Sequence, residues 1–371
     1  MKKRDILIIC LILCFLCSLQ AIAASDLDNT NIGTAHDDSA VSIENVSAYS
    51  LPGAEKALQD GEAKTFTYLK DNLNSADFAN YNYTWNSETD GDLTSGIILP
   101  NGANLNGQGK VIIDAKNSAR IFNIADGASV TLIGITFINA NANGNGGSIF
   151  SAGSSIIIKD CTFINNYADG NGGAIYLEHD TLTKIENCVF TNNIANGNGG
   201  ALDWSAGSIH GLVNNCNFTN NTAERSGGAI YWRGTDGNVT NSIFTNNTAK
   251  GNKLAPDSYG SETWGGNGGA IMWVGSDGYV YNCNFTNNSA YGHNMSNYIE
   301  GGKGGAVYLQ GSSVGLCSNT MFDNCTFISN FAMVNGGAID WYAGARYGLV
   351  NNSIFTNNIA NRSGGAIFWS G

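Results

Sequence analysis

Charge and proline are both scarce in this chain. Of 371 residues, 13% are charged and three are proline, and no cluster of Lys or Arg occurs after Arg4. Nucleic acid is held by basic patches, so a nucleic-acid partner is not expected. Leu, Glu and Lys are too thin for a solenoid of helix pairs, which needs strong helix formers. What is abundant is Gly, with 48 residues, together with Asn and Thr. An aperiodic chain of that make-up would be flexible. This one is periodic, and the period overrides the composition.

Phenylalanines fall at Phe137, Phe163, Phe190, Phe218, Phe244, Phe285, Phe327 and Phe355. In six repeats the second glycine of a Gly-Gly pair follows ten residues later, at Gly147, Gly173, Gly200, Gly228, Gly337 and Gly365. In the other two the pair arrives late, at Gly269 and Gly305. Two neighbouring repeats therefore carry insertions in the same arc.

Parity tells which side chains go inside. Cys161 and Phe163 share a parity that is small or apolar in every copy, so both face inward. The position two after the second glycine is Ile149, Ile175, Leu202, Ile230, Ile271, Val307, Ile339 and Ile367, and it too is core. Such a repeat cannot bury its apolar side alone, whereas stacked copies can. The expected fold is all-β: a parallel β-helix with one coil per repeat, right-handed because parallel crossovers favour that sense.

The remaining repeat positions fit the same stack. Cys161, Cys188, Cys216, Cys283 and Cys325 share a place that Ser242 and Ser353 fill elsewhere, which suits a buried column of small side chains better than disulfides. Cys317 stands outside the pattern. Asn166, Asn193, Asn221, Asn247, Asn288, Asn330 and Asn358 lie three after the phenylalanine, where amides can hydrogen-bond from coil to coil.

Ahead of the array, Lys2, Lys3 and Arg4, an apolar run from Ile6 to Leu19, and Ala21-Ile22-Ala23 have the pattern of a secretory signal peptide over residues 1–24. Its removal takes the formal charge from −12 to −14. The run is short for a membrane span. A flexible leader is expected over 25–63. Phe66, Leu69 and Leu73 recur at helical spacing, which predicts a short helix over 65–74, starting at Thr65 or Thr67 and capping the first turn. Residues 64–371 then form the β-helix, with less regular strands at Ile97-Ile98-Leu99, Val111-Ile112-Ile113, Ile121–Ile124 and Val130–Ile133.

The Phe-x-x-Asn and Gly-Gly-Ala-Ile signature resembles the repeat of chlamydial polymorphic outer-membrane proteins, and more closely the secreted adhesin-like proteins of methanogenic archaea. The second resemblance extends upstream through Tyr81-Asn82-Tyr83, Gly96-Ile97-Ile98, Asn106-Gly107-Gln108-Gly109, Ile113-Asp114 and Ala119-Arg120-Ile121-Phe122, and covers residues 65–371. It implies a right-handed β-helix at the cell surface that binds glycans or proteins of other cells. It implies no cofactor, and membrane contact only through an anchor. Family members often carry further domains or an anchor. This chain stops at Trp369-Ser370-Gly371, inside a repeat, and is expected to be a fragment of a longer protein. Residues 199–234 and 336–371 match at 25 of 36 positions, which points to growth by duplication.

Three groups of residues could carry function. The first insertion holds Asp257, Tyr259, Glu262 and Trp264, and the second holds Tyr291, His293, Tyr298 and Glu300. Emerging side by side from successive coils, they are expected to form one raised binding patch on a rigid scaffold. An outward aromatic column, Tyr176, Tyr231, Tyr308 and Phe368, could stack on sugar rings or merely stabilise its sheet. The next column but one, with Trp204, Trp232, Trp273, Trp341 and Trp369, has inward parity and reads as packing.

Parallel β-helices also carry polysaccharide lyases and glycosidases. Asp203 and Asp340 replace aromatics of the outward column, but lie four coils and about 19 Å apart. A glycosidase pair needs about 5 to 9.5 Å. Glu262, His293 and Glu300 are the one grouping suited to acid–base work. No catalytic residue, metal or cofactor is expected. Asp90-Gly91-Asp92 is an isolated acidic pair, and Gly197–Asp203 lacks the nine-residue period of a calcium ladder. The leading reading is a secreted surface binding module, with a polysaccharide lyase or hydrolase and a passive stalk as alternatives. Sequons at Asn82, Asn217, Asn246 and Asn284 matter only where the side chain faces outward.

Overall fold

A computed structural model describes residues 63–73, 75–251, 265–294, 299–311, 319–342 and 344–370. The signal segment, nearly all of the leader and Cys317 lie outside the described residues. The architecture belongs to one compact unit, Leu51–Gly371.

One coil shows the plan. From Leu202–Trp204 the chain passes to Leu212–Asn214 and Asn217–Thr219, then to Thr222–Ala223, and re-enters the first row at Ile230–Trp232. Each strand pairs in parallel with its counterpart one coil on: Leu202 with Ile230, Phe218 with Phe244, Ala223 with Ala249. The stack has three faces. The first is a ten-stranded sheet from Ile97–Leu99 to Ile367–Trp369. The second is a 17-stranded sheet with mostly two strands per coil, and the third an eight-stranded sheet of two-residue strands.

Asparagine is common partly because the corners require it. His210, Asn215 and Asn220 take φ of 54°, 52° and 56°, five residues apart, and the same spacing recurs at Asp236, Asn241 and Asn246 and at Asp277, Asn282 and Asn287. Asn and Asp enter this left-handed region more readily than other residues with a side chain. The glycine pair serves close approach: a Cβ on Gly173 would collide with Gly200 O and the Ile194 backbone of the next coil.

Identical side chains then fall on one another. Phenylalanine rings from Phe137 to Phe355 stack with centroids 4.7–4.9 Å apart, close to the strand spacing of about 4.8 Å. Trp204, Trp232, Trp273 and Trp341 are fully buried, and a Cβ on Gly237 or Gly278 would strike the indole that turns back over it. Cys161, Cys188, Cys216, Cys283 and Cys325 are buried and free. Cys216 Sγ donates to Asn214 O at 3.3 Å, and Ser242 Oγ makes the same bond to Thr240 O at 2.8 Å, which explains why Ser replaces Cys.

The buried asparagines form a continuous ladder. Asn166 Nδ2 donates to Asn193 Oδ1 at 2.9 Å, Asn193 to Asn221 at 2.9 Å and Asn221 to Asn247 at 3.0 Å. Asn247, Asn288 and Asn330 continue it to Asn358.

At the amino-terminal end, helix α1 (Phe66–Asp71) buries Phe66 and Leu69 under the first coil. Thr65 caps it by accepting from Tyr68 N. The helix stops short of residue 74 because Asn72 closes it, with Nδ2 donating to Tyr68 O at 2.9 Å. Asp90, one of the isolated acidic pair, is a structural hub. Its carboxylate accepts from Phe66 N, Thr67 N, Thr67 Oγ1 and Asn86 N at 2.8–3.0 Å.

Candidate functional site

The insertions arise at the corner between the third and first faces. Their bases touch: Tyr291 N donates to Ala249 O at 2.8 Å, and Gly302 N to Gly266 O at 3.0 Å. The second insertion leaves the coil as an antiparallel hairpin, Gly292–Asn294 with Ile299–Gly301, which sets His293 directly opposite Glu300. Asp257, Tyr259, Glu262, Trp264 and Tyr298 lie outside the described residues.

The outward column of the first face is covered rather than open. Tyr176, Met272 and Tyr308 are 5%, 3% and 3% exposed, and Tyr231 is half-buried. Phe150 stacks on Tyr176 at 5.5 Å, but the ladder breaks where Asp203 stands between Tyr176 and Tyr231. Phe368, in the last described coil, is half-buried.

Where the hairpin base meets this column there is a cavity of about 290 Å³. Tyr231, Met272 and Tyr308 form its floor, Tyr342 lies at one side, and Asn198, Asn267 and Gln310 offer amides. Arg225, Lys303 and Glu300 bring charge. Lys303 Nζ sits 4.4 Å from the Tyr342 ring centroid, and the rings of Tyr308 and Tyr342 are 6.0 Å apart. Two groups that the sequence presents separately, the outward aromatics and the second insertion, thus share one cavity through Tyr231, Tyr308 and Glu300. Tyr176 and Phe368 do not line it. Tyr291 is 43% exposed and packs against Phe331 instead.

Two buried carboxylates lie in the same column. Among the described residues, both oxygens of Asp340 and Oδ1 of Asp203 lack a hydrogen-bond partner. Burial pushes Asp340 up to about 7, with the Lys303 charge opposing. Burial also holds Asp203 well above the ordinary carboxylate range, against the pull of Arg233. Four strand steps separate them, through Tyr231, Met272 and Tyr308. A third acid, Asp180, was not singled out by sequence. Its Oδ1 accepts from Ser151 Oγ and Ser154 N, and burial pushes it up to about 6.

Arg225 and Lys303 escaped sequence reasoning as well, although a signal exists: Arg225 stands where most repeats have Gly, and Lys303 where they have Asn or Ser. The sequon residues Asn217, Asn246 and Asn284 are exposed on the second face and its corner, while Asn82 Oδ1 is engaged by Ile112 N at 2.8 Å.

A search of curated proteins returns no match to this chain. Two solved structures are similar in part. One is Geobacillus virus E2 ORF18, at 13% identity and a TM-score of 0.28 over 76% of this chain and 51% of that one. The chain therefore spans about half the length of the viral protein. The other is an alginate lyase from Paenibacillus sp. str. FPU-7, at 14% identity and a TM-score of 0.35, over 81% and 98% of the two chains. The model of the Chlamydia polymorphic membrane protein repeat matches residues 160–178, one copy of the glycine-pair repeat. The model of the right-handed β-helix region matches residues 173–371, more than half of the chain, and with the parallel three-faced stack described above it places this protein in the right-handed β-helix family.

Proposed function

We propose that the protein is a cell-surface binding module that holds a sugar ring of a glycan in the cavity at the base of the insertions. The observation that carries the reading is the convergence there of three tyrosines, two of them on strands of the first face, and three side-chain amides from the adjoining corners. Tyrosine faces pack on the apolar face of a pyranose, and amides both donate to and accept from its hydroxyls. Secretion and adhesion to other cells belong to the same proposal, supported by the resemblance of the repeat to that of surface proteins.

Binding is favoured over cleavage because Glu300 is the one carboxylate among the described residues that lines the cavity. Lyase or hydrolase chemistry needs an acid and a base on either side of a sugar bond. Asp203 and Asp340 are buried in the sheet, four steps apart.

The test is retention of the chain from residue 25 on a broad glycan array, beside Tyr342→Ala and Gln310→Ala. Both side chains line the cavity and are exposed, so their loss leaves the stack intact. Retention on a defined subset of glycans, lost in Tyr342→Ala, is the expected result. Retention on no glycan at all would turn the reading toward a protein partner or a passive stalk.

A further inference from the structure

The corner beside the cavity is built from two hydrogen-bonded columns that run from coil to coil. In the first, Gly170 N donates to Gly144 O, Gly197 N to Gly170 O, Arg225 N to Gly197 O, Gly266 N to Arg225 O and Gly302 N to Gly266 O, all at 2.7–3.1 Å. The column runs on with Val334 N donating to Gly302 O and Arg362 N to Val334 O at 2.7 and 2.9 Å, so five of its eight positions are glycine and Arg225, Val334 and Arg362 depart. In the adjoining column Asn171 N donates to Asn145 Oδ1, Asn198 N to Asn171 Oδ1 and Lys303 N to Asn267 Oδ1 at 2.8–3.2 Å. Asn or Ser is the habit there, and Lys303 is the departure.

Of these departures Arg225 and Lys303 are the two cations that border the cavity. They stand on either side of Asn267, two coils and about 10 Å apart at the backbone, a gap that side chains of their length can close onto one ligand. Neither enters a salt bridge among the described residues. Among the described residues Arg225 Nε is buried with no hydrogen-bond partner, in a chain whose formal charge is −12. Such a donor is costly to bury unless an acceptor arrives. Arg362, the counterpart of Arg225 in the duplicated block, is exposed.

We propose that the sugar this cavity holds carries a carboxylate, as a uronic acid does, and that Arg225 and Lys303 bind it. The two terminal nitrogens of a guanidinium match the two oxygens of a carboxylate, and Lys303 adds a point charge. The exposed Tyr342 and the half-buried Tyr231 take the ring, and Glu300 accepts from its hydroxyls. The inference rests on the glycan-binding reading above and narrows it to acidic saccharides.

Calorimetric titration with trigalacturonate, its methyl ester and a neutral trisaccharide tests it. The acid is expected to bind at least about tenfold tighter than the ester, a preference that one charge-assisted bidentate contact can supply. Arg225→Gln should abolish the preference, and Arg233→Gln, exposed and outside the cavity, should keep it. Equal binding of acid and ester overturns the inference, as does a preference that survives both Arg225→Gln and Lys303→Gln. Binding of neutral saccharides alone overturns it while leaving the glycan reading in place, and binding of no saccharide overturns both. If Arg225→Gln fails to fold by circular dichroism, Lys303→Gln and the acid-to-ester ratio of the parent chain decide.

Discussion

Replacing Asn221 with alanine should damage the stack far more than any exposed substitution nearby. Its amide uses its full hydrogen-bonding capacity. Nδ2 donates to Asn247 Oδ1 and to Phe190 O, both at 3.0 Å, and Oδ1 accepts from Asn193 N at 3.0 Å and Asn193 Nδ2 at 2.9 Å. Asn247 Oδ1 keeps a second donor, Asn221 N, so the loss falls on the Asn193 side. There the alanine strands a backbone N–H and a side-chain N–H in a place with no access for water. At roughly 1–3 kcal/mol for each buried orphan, the cost is about 4 kcal/mol.

A solenoid is stabilised coil by coil, so the defect should stay local. Native-state hydrogen exchange is therefore the assay. Amides of the coils bearing Asn193 and Asn221 should exchange about a thousandfold faster, and those near Phe137 should not change. Thr219→Ala, on the outward side of the same coil, should shift exchange by less than about threefold, since such sites are worth about 0.5 kcal/mol. Asn221→Leu, which restores volume without polarity, should be as harmful as Asn221→Ala. If Asn221→Ala moves exchange no further than Thr219→Ala, the ladder contributes nothing to stability and the reasoning fails.

Asp340 holds its proton up to a pH of about 7 in the folded state but releases it near 3.8 when unfolded. Stability should therefore fall as pH rises between those values, and Asp340→Asn should recover up to about 4 kcal/mol at pH 8 and little at pH 4. Urea midpoints for parent and variant at the two pH values check it, and an equal gap at both would contradict it. Asp90 behaves in the opposite sense. Burial raises its pKa, but the bonds from Asn86, Thr67 and Phe66 outweigh that and leave it lowered. Its contribution is present above 3.8 and is lost as pH falls through the depressed value. Asp90→Ala at pH 7 should cost about 3 kcal/mol, read as faster exchange of the Phe66 and Thr67 amides. Gly237→Ala forces a methyl group into the Trp232 indole and should cost about 1–3 kcal/mol, with a change in tryptophan fluorescence.

The core was readable from sequence because a stack repeats each contact. Phe163, Cys161, Ile175 and Asn166 each recur at a fixed offset; parity placed Cys161 and Phe163 inside, recurring apolar identity placed Ile175, and amide stacking placed Asn166. The tryptophans were readable for the same reason. The cavity was not, because Arg225 and Tyr231 come from one coil, Glu300 and Lys303 from another two steps on, and the pairs meet only at the corner between two faces. Periodicity reports what is common to the coils, and this site is made of exceptions to it. The burial of the outward column was equally hidden. Alternation says that Tyr308 and Asp340 point away from the core, but says nothing of what lies over them.

The asparagine ladder has a direction. Every side-chain bond in it is donated from one coil to the next toward the carboxyl end, so the amide dipoles lie head to tail along the stack. Turning one amide over would set oxygen against oxygen on one side and N–H against N–H on the other. The row can be satisfied only if all its members agree, and bonds in such a row polarise one another. Coils that slipped by a single residue would face this row with the wrong side chain. The ladder thus works as a zipper with one set of teeth: it closes in a single register and in a single sense.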